Sequence, residues 1–354
     1  MSAADPVLRA FASSDLDQVL RLHAEVFGQT ASRALERRWV WSQIDNLAPE
    51  NSPKWVLEAD GTVVGFLGTV PIPYRIGGKR VMTHSPCDYM VATPYRFHGI
   101  KLLRECYRTC DFNVSLDDIP ATIAVSKFLK AQNTGTMRRF DKVLDARLGL
   151  RSWPSLRAIP PMVWDWARAG LALGDVPSIL LSPSINQYTG NFGPSFDRLF
   201  ERCLAADPQQ ATVERDSRYL SWRYGPRSPQ AHRVVGIAEA DGDLAGYVVC
   251  CVSRDDGHRG FILELVTAPG SPTSLIDGLI SFAVREMRRQ DAWTMRWFLL
   301  GEEETQKRSH LLRWGFRRKD FTYELLSRLP LPEKPRGVWR QQFGDGELSH
   351  GSVL

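Results

Sequence analysis

The feature that most constrains this fold is an internal repeat. Residues 58–61 read Glu-Ala-Asp-Gly, residues 239–242 repeat the same four letters, and β-forming runs flank both copies. Asp-Gly between two such runs predicts a β-hairpin, because the tight turn requires positive φ. Val-x-x-Pro follows at 91–94 and again at 266–269, and an amphipathic helix is predicted after each. The same order at nearly constant spacing indicates a duplication.

The duplication divides the 354 residues into two related units. We predict an N-terminal domain over 1–150 and a C-terminal domain over 181–330. Between them, 151–180 is rich in Pro and Trp and is predicted to be a packed connector with a short helix. The tail, 331–354, is predicted to be extended or disordered. The order of strands and helices in each copy predicts two α/β domains of similar plan, packed side by side.

Composition excludes several classes of function. The 45 basic and 40 acidic residues leave a net charge of +5, and no basic run interleaves with aromatics, so we expect no nucleic-acid partner. No apolar run approaches the roughly 18 residues of a membrane helix, and the N-terminus lacks the order of a secretory signal. We therefore expect a cytoplasmic protein without membrane insertion. The six cysteines are scattered, which predicts reduced thiols and no metal site.

The segment 88–103 carries the strongest indication of a site. A strand is predicted to end near Pro94 and a helix to begin at about Gly99, where the missing side chain permits close backbone approach. The first-turn amides of that helix carry the positive end of its dipole and predict an anion site. An ordinary strand–helix turn with solvated basic residues is the alternative. The basic residues that would add charge are Arg96, His98 and Lys101.

Residues 91–103, VATPYRFHGIKLL, resemble the acyl-CoA-binding motif of the GCN5-related N-acetyltransferase (GNAT) family. That motif has a strand, Val-x-x-Pro, Arg-x-x-Gly-x-Gly/Ala and then a helix. Lys101 departs from it, since the family usually has Gly or Ala there. The matching positions are Val91, Pro94, Arg96 and Gly99. The resemblance implies an acetyl-CoA co-substrate, contacted by Val91, Thr93, Arg96, Phe97, His98, Gly99, Ile100 and Lys101.

The resemblance covers about 1–145 and about 185–328, and the whole resembles two-domain members among sugar and cell-envelope enzymes. It implies an α/β (α+β) fold of two GNAT-like domains in tandem, each a mixed twisted sheet flanked by helices. The second copy continues with Gly270-Ser-Pro and lacks Arg-x-x-Gly. We infer one acyl-CoA site, in the first copy, with the second copy shaping the acceptor pocket. The alternative is a purely structural second copy.

For chemistry, the resemblance implies direct transfer of an acyl group to an amine. The amine must lose a proton, and a strand amide, here that of Val91, polarises the thioester carbonyl. His84 and Asp88 are candidate bases, although either residue is commonly a turn residue, and Glu264 is a third candidate on the corresponding strand of the second copy. The predicted last helix of the first copy contains no tyrosine, so Ser126 is the candidate acid, with solvent as the alternative.

A second candidate cluster precedes the core of the second copy. Trp222, Arg223 and Tyr224 offer stacking and anion contacts that suit a nucleotide-linked sugar, or else they are core anchors. The leading hypothesis is an N-acetyltransferase that acts on a primary amine of a small metabolite, such as a nucleotide-linked amino sugar. The alternatives are a non-catalytic CoA-binding regulatory protein and an aminoacyl-tRNA-dependent transferase. The sequence predicts no oligomeric state.

Overall fold

The computed structural model describes residues 5–116, 118–148, 160–180, 183, 185–228, 234–240, 242–253, 258–329, 339–340, 342 and 345. Its strands are β1 Val7–Ala10, β2 Trp55–Ala59, β3 Thr62–Ile76, β4 Lys79–Val91, β5 Asn113–Ser115, β6 Gln132–Val143, β7 Asn186–Tyr188, β8 Ala211–Val213, β9 Val234–Ala240, β10 Asp243–Val252, β11 Arg259–Thr267, β12 Thr294–Leu300, β13 Arg317–Arg328 and β14 Trp339–Arg340. Its α-helices are α1 Leu16–Phe27, α2 Gln29–Trp39, α3 Gly99–Thr109, α4 Pro120–Phe128, α5 Pro161–Leu180, α6 Pro194–Ala206, α7 Ser217–Tyr224, α8 Thr273–Arg289 and α9 Gly301–Arg313.

Both repeated hairpins form where the sequence predicts them. In the first, β2 and β3 pair up to the turn at Asp60 and Gly61, which have φ of 50° and 74°. In the second, β9 and β10 pair up to Gly242, whose φ is 78°. Asp241 lies outside the described residues. Positive φ at these turns is the local requirement that Asp-Gly meets.

The strands form one continuous mixed sheet across both copies. Its main path is β1-β2-β3-β4-β5-β13-β6-β12-β11-β10-β9-β7. The last strand of each copy lies in the sheet of the other: β13 pairs with β5, and β6 pairs with β12 from Met137 to Val143. The predicted α/β class with a mixed sheet is confirmed, and the two halves complete each other's sheets.

The helices cover the sheet with apolar faces. On α3, Leu102, Leu103 and Cys106 are buried against β2 and β3 in one core cluster. On α8, the same packing in the second copy buries Leu279 and Ile280. The spacing of these residues places them on one helix face, which is why the sheet buries them together. Both helices therefore follow the amphipathic pattern predicted for them.

The connector and tail contain regular structure in their described parts. Within 151–180, α5 is a twenty-residue helix, and 151–159 lie outside the described residues. In the tail, Trp339 is buried and β14 pairs with β8, which in turn pairs with the end of β3. Among the described helices, none has both the length and the apolar character needed to cross a membrane.

Candidate active site

The first half contains a gap between two parallel strands. The register between β4 and β5 contains a single pair, His84 with Asn113, and His84 N–H donates to the Phe112 carbonyl at 2.8 Å. Beyond that pair the two strands no longer hydrogen-bond as a ladder. The opening therefore lies at their carboxyl ends, the edge where α/β sheets usually bind ligands.

A β-bulge in β4 turns a backbone amide toward this gap. At the bulge Asp88 and Tyr89 of β4 lie opposite the single residue Leu67 of β3, so β4 has one extra residue, and Asp88 has a φ of 53°. After the bulge, Ala92 N–H donates to Val64 O at 2.8 Å, on the β3 side. Because successive N–H groups of a strand point to opposite edges, the Val91 N–H points toward the gap. This is the amide predicted to polarise an acyl carbonyl.

The second copy contains the same bulge. In β11, Val249 pairs with Glu264 and Cys250 pairs with Ile262, so Leu263 has no partner in β10. Leu263 precedes the Val-x-x-Pro motif by three residues, the same spacing that separates Asp88 from Val91. The duplication therefore extends to an irregularity of the backbone.

The Arg-x-x-Gly segment forms a 3₁₀ turn. It spans Thr93–His98 and leads into α3 at Gly99, the predicted helix start. Tyr95 N–H donates to Ala92 O, and Gly99 N–H donates to Arg96 O. These two amides are therefore used within the turn. A Cβ atom built on Gly99 would overlap the Tyr89 hydroxyl oxygen, so glycine permits this packing.

The basic side chains near this turn differ in their partners. Lys101 Nζ lies 2.8 Å from Asp5 Oδ1, and His98 Nδ1 lies 3.2 Å from the same oxygen. Arg96 lies over the Phe97 ring at 4.8 Å, and Phe97 is 78% exposed. Within the described residues, no carboxylate pairs with Arg96. Arg96 is thus the cation of this segment that is free to bind an anion. Of the other predicted contacts, Thr93 is exposed and Ile100 is half-buried.

The predicted acid and base residues of the first half all have partners. Asp88 is buried and forms an ion pair with Arg38. His84 Nε2 lies 2.9 Å from Asn51 O at the closed end of the gap. Burial opposes protonation of His84, but the nearby Cys110 sulfur and the Asn51 backbone carbonyl raise its pKa overall. Ser126 is buried and accepts a hydrogen bond from Tyr107 Oη at 3.0 Å.

One carboxylate beside the gap was not predicted from the sequence. Asp118 lies between the end of β5 and the start of α4, at the same sheet edge as Val91. Burial raises its pKa to about 6, and Ser115 Oγ donates to it at 2.6 Å. A short buried strand followed by two acids and Pro120 was the available signal. This pattern usually indicates the start of a helix rather than a functional carboxylate.

The candidate residues of the second half form a buried cluster. Glu264 is fully buried and accepts hydrogen bonds from Tyr224 Oη at 2.9 Å and Tyr247 Oη at 2.8 Å. Trp222 stacks on Trp41 with ring centres 4.7 Å apart, and Arg223 is also fully buried beside them. These contacts are those of core anchors. Across the described residues, no group of three or more His, Cys, Asp or Glu side chains is placed to hold a metal ion.

Comparison with known proteins relates this geometry to a family. Residues 7–112 match the family model described as "Acetyltransferase (GNAT) domain". The chain carries a GNAT acetyltransferase domain. The matched range contains β4, the 3₁₀ turn and α3, and it confirms the GNAT resemblance seen in the sequence together with its enzyme class, N-acetyltransferase. No protein of curated function matches the chain.

Solved structures extend the GNAT fold to nearly the whole chain. A GCN5-related N-acetyltransferase from Kribbella flavida aligns over 91% of this chain and 71% of its own, with a TM-score of 0.59 and 17% identity. A tandem GNAT protein from the clavulanic acid biosynthesis pathway aligns over 93% of this chain and 100% of its own, with a TM-score of 0.54 and 16% identity. Saccharomyces cerevisiae N-myristoyltransferase with bound myristoyl-CoA and inhibitors aligns over 99% of this chain and 86% of its own, with a TM-score of 0.58 and 11% identity. The predicted tandem GNAT fold is confirmed.

Proposed function

We propose that this chain is an acyl-CoA-dependent N-acyltransferase and that transfer takes place in the gap between β4 and β5. The observation that carries the proposal is the Val91 N–H, which points toward the gap at the end of β4, directly before the Arg-x-x-Gly turn. The GNAT match covers this half and not the second. Acetyl-CoA is the proposed co-substrate. The proposed acceptor is a primary amine of a small metabolite, such as a nucleotide-linked amino sugar.

The proposed mechanism is direct attack of the amine on the thioester carbonyl carbon. Val91 N–H donates to the carbonyl oxygen as it becomes negatively charged, which stabilises the transition state. Asp118 takes the proton that the amine loses as the new C–N bond forms, since a pKa of about 6 suits a base near neutral pH. The C–S bond then breaks, and the thiolate takes a proton from solvent.

Anion binding in this proposal depends on Arg96 and on the packing at Gly99. Arg96 has no carboxylate partner within the described residues, and a guanidinium matches phosphate geometry. Lys101, which departs from the GNAT motif, is held by Asp5 and by the Pro6 carbonyl at 3.1 Å. Its ammonium group is thus anchored at the start of β1 and does not occupy the position of the anion.

The test is CoA release from acetyl-CoA with a panel of primary amines that includes a nucleotide-linked amino sugar. We expect saturable turnover, and we expect Asp118→Asn to lower kcat about 100-fold or more while acetyl-CoA binding is retained. Asp111→Asn is the matched control, because Asp111 is exposed and precedes β5. Myristoyl-CoA in parallel tests the acyl length.

Two results would favour the other hypotheses. Saturable acetyl-CoA binding without turnover of any amine would indicate a non-catalytic CoA-binding protein. Binding of charged tRNA without binding of any acyl-CoA would indicate an aminoacyl-tRNA-dependent transferase. Equal loss of activity in the Asp111 and Asp118 variants would remove Asp118 from the mechanism.

A further inference from the structure

A cavity of about 590 Å³ lies where the first half, the connector and the second half meet. Its wall includes the end of β6, part of α5, and the turn between α9 and β13. Small-molecule pockets in proteins range from about 300 to 1,000 Å³. The volume therefore admits a small molecule. No residue of β4 or β5 contributes to the wall, so this cavity is separate from the acyl-transfer gap.

Both carboxylates in this wall are already neutralised. Lys142 Nζ donates to Asp175 Oδ1 at 2.9 Å, and Arg288 lies 2.8 Å from the other oxygen of Asp175. Asp141 accepts a two-pronged contact from Arg139, at 3.0 and 2.9 Å. Neither carboxylate is left to attract a cation or to neutralise another basic residue.

Two cations of the wall have no such partner. Arg317 and Lys319 at the start of β13 are exposed and line the cavity. Within the part of the chain that the structure describes, no carboxylate pairs with either of them. Arg318 lies between them and does not line the cavity, as expected because successive strand side chains point to opposite faces. The cavity therefore has an excess of positive charge on one side.

The rest of the wall provides open space and apolar surface. Gly170 and Gly174 lie one turn apart on α5, and a Cβ atom at either would meet nothing within 4 Å. Val143 and Leu171 are 43% and 36% exposed beside them. Two unpaired cations favour a ligand that carries negative charge.

We propose that this cavity binds a phosphorylated small molecule. Its phosphate contacts Arg317 and Lys319, and its apolar part lies on Val143 and Leu171. Such a ligand neutralises the unpaired cations without breaking an existing ion pair. Because the wall combines β6, α5 and β13, binding ties the connector to the strands that the two halves exchange. The proposal does not depend on the acyl-transfer activity.

Isothermal titration of the full-length chain with phenyl phosphate, inorganic phosphate and benzyl alcohol tests the proposal. We expect phenyl phosphate to bind more tightly than inorganic phosphate, and benzyl alcohol not to bind. The double variant Arg317→Gln/Lys319→Gln should weaken phenyl phosphate binding about tenfold or more. The matched control is Arg318→Gln, which removes a neighbouring charge outside the cavity and should leave binding unchanged.

A cavity-filling variant gives an independent readout. Gly174→Leu places a side chain in open space and improves helix propensity, so the chain should stay folded while phenyl phosphate binding is lost. Absence of saturable phenyl phosphate binding to the wild-type chain would overturn the proposal. Equal weakening by Arg318→Gln would also overturn it, because the binding would then reflect general surface charge.

Discussion

Replacement of Gly99 by alanine tests the packing at the start of α3. A Cβ atom there would overlap the Tyr89 hydroxyl oxygen, and it would lie 3.1 Å from Val91 Cγ2 and 3.3 Å from Tyr89 Cζ. Overpacking of this kind costs about 1–3 kcal/mol. The backbone at Gly99 is helical, with φ −54° and ψ −31°, so alanine should recover up to about 1 kcal/mol of helix propensity. We expect Gly99→Ala to destabilise the chain by about 1–2 kcal/mol.

The same substitution should be nearly neutral when the hydroxyl is absent. In a Tyr89→Phe background the closest remaining atoms lie beyond 3.0 Å, where a shift of a few tenths of an ångström relieves the contact. The gain in helix propensity then offsets the residual strain. The expected coupling between the two substitutions is therefore about 1–2 kcal/mol.

Urea denaturation of the four chains of this cycle measures the coupling, as differences in the free energy of unfolding. Gly170→Ala is the control, because a Cβ there meets nothing within 4 Å, and it should stabilise the chain by about 0.5–1 kcal/mol. An equal cost of Gly99→Ala in both backgrounds would refute the reasoning, since the hydroxyl would then not be the obstacle.

Two further substitutions test the charges near the gap. Arg38→Met should lower the free energy of unfolding by about 3–5 kcal/mol in urea denaturation, because the buried Asp88 carboxylate loses the guanidinium that faces it. Adding Asp88→Asn should recover part of that loss. Additive costs of the two substitutions would contradict this expectation. Asp118 has a pKa raised to about 6 by burial, so its contribution to stability is greatest below pH ~4 and is lost as the pH rises through ~6. Wild type should therefore lose stability relative to Asp118→Asn between pH 4 and 7, and a constant difference across that range would count against the shift.

Local rules predicted the elements that carry the candidate site. The Asp-Gly turns depend on positive φ at Gly61 and Gly242, which short-range sterics alone require. The start of α3 at Gly99 follows from the proline and glycine around it and from the apolar spacing behind it. The structure shows the bulge of β4 again in β11, at the same spacing from Val-x-x-Pro. This agreement supports the duplication that the sequence indicates.

The partners of charged groups were beyond such rules. Arg38 and Asp88 are fifty residues apart and meet only when α2 packs near β4. The pKa of Asp118 depends on burial, which requires the completed core. Glu264, a candidate base in the sequence, is fully buried, accepts hydrogen bonds from Tyr224 on α7 and Tyr247 on β10, and lies 3.7 Å from Arg215. The spacing of residues along the chain predicts none of these contacts, because each of them forms only in the folded protein.

The sequence by itself determined that this chain repeats one plan of strands and helices and that only the first copy keeps the Arg-x-x-Gly turn. Tertiary structure alone decided that each copy takes its last strand from the other, with β13 beside β5 and β6 beside β12. The physical reason is that hydrophobic period and turn chemistry specify a strand, whereas its hydrogen-bonding neighbour is chosen by the whole sheet. The same exchange brings Arg317 and Lys319 to the cavity beside the connector.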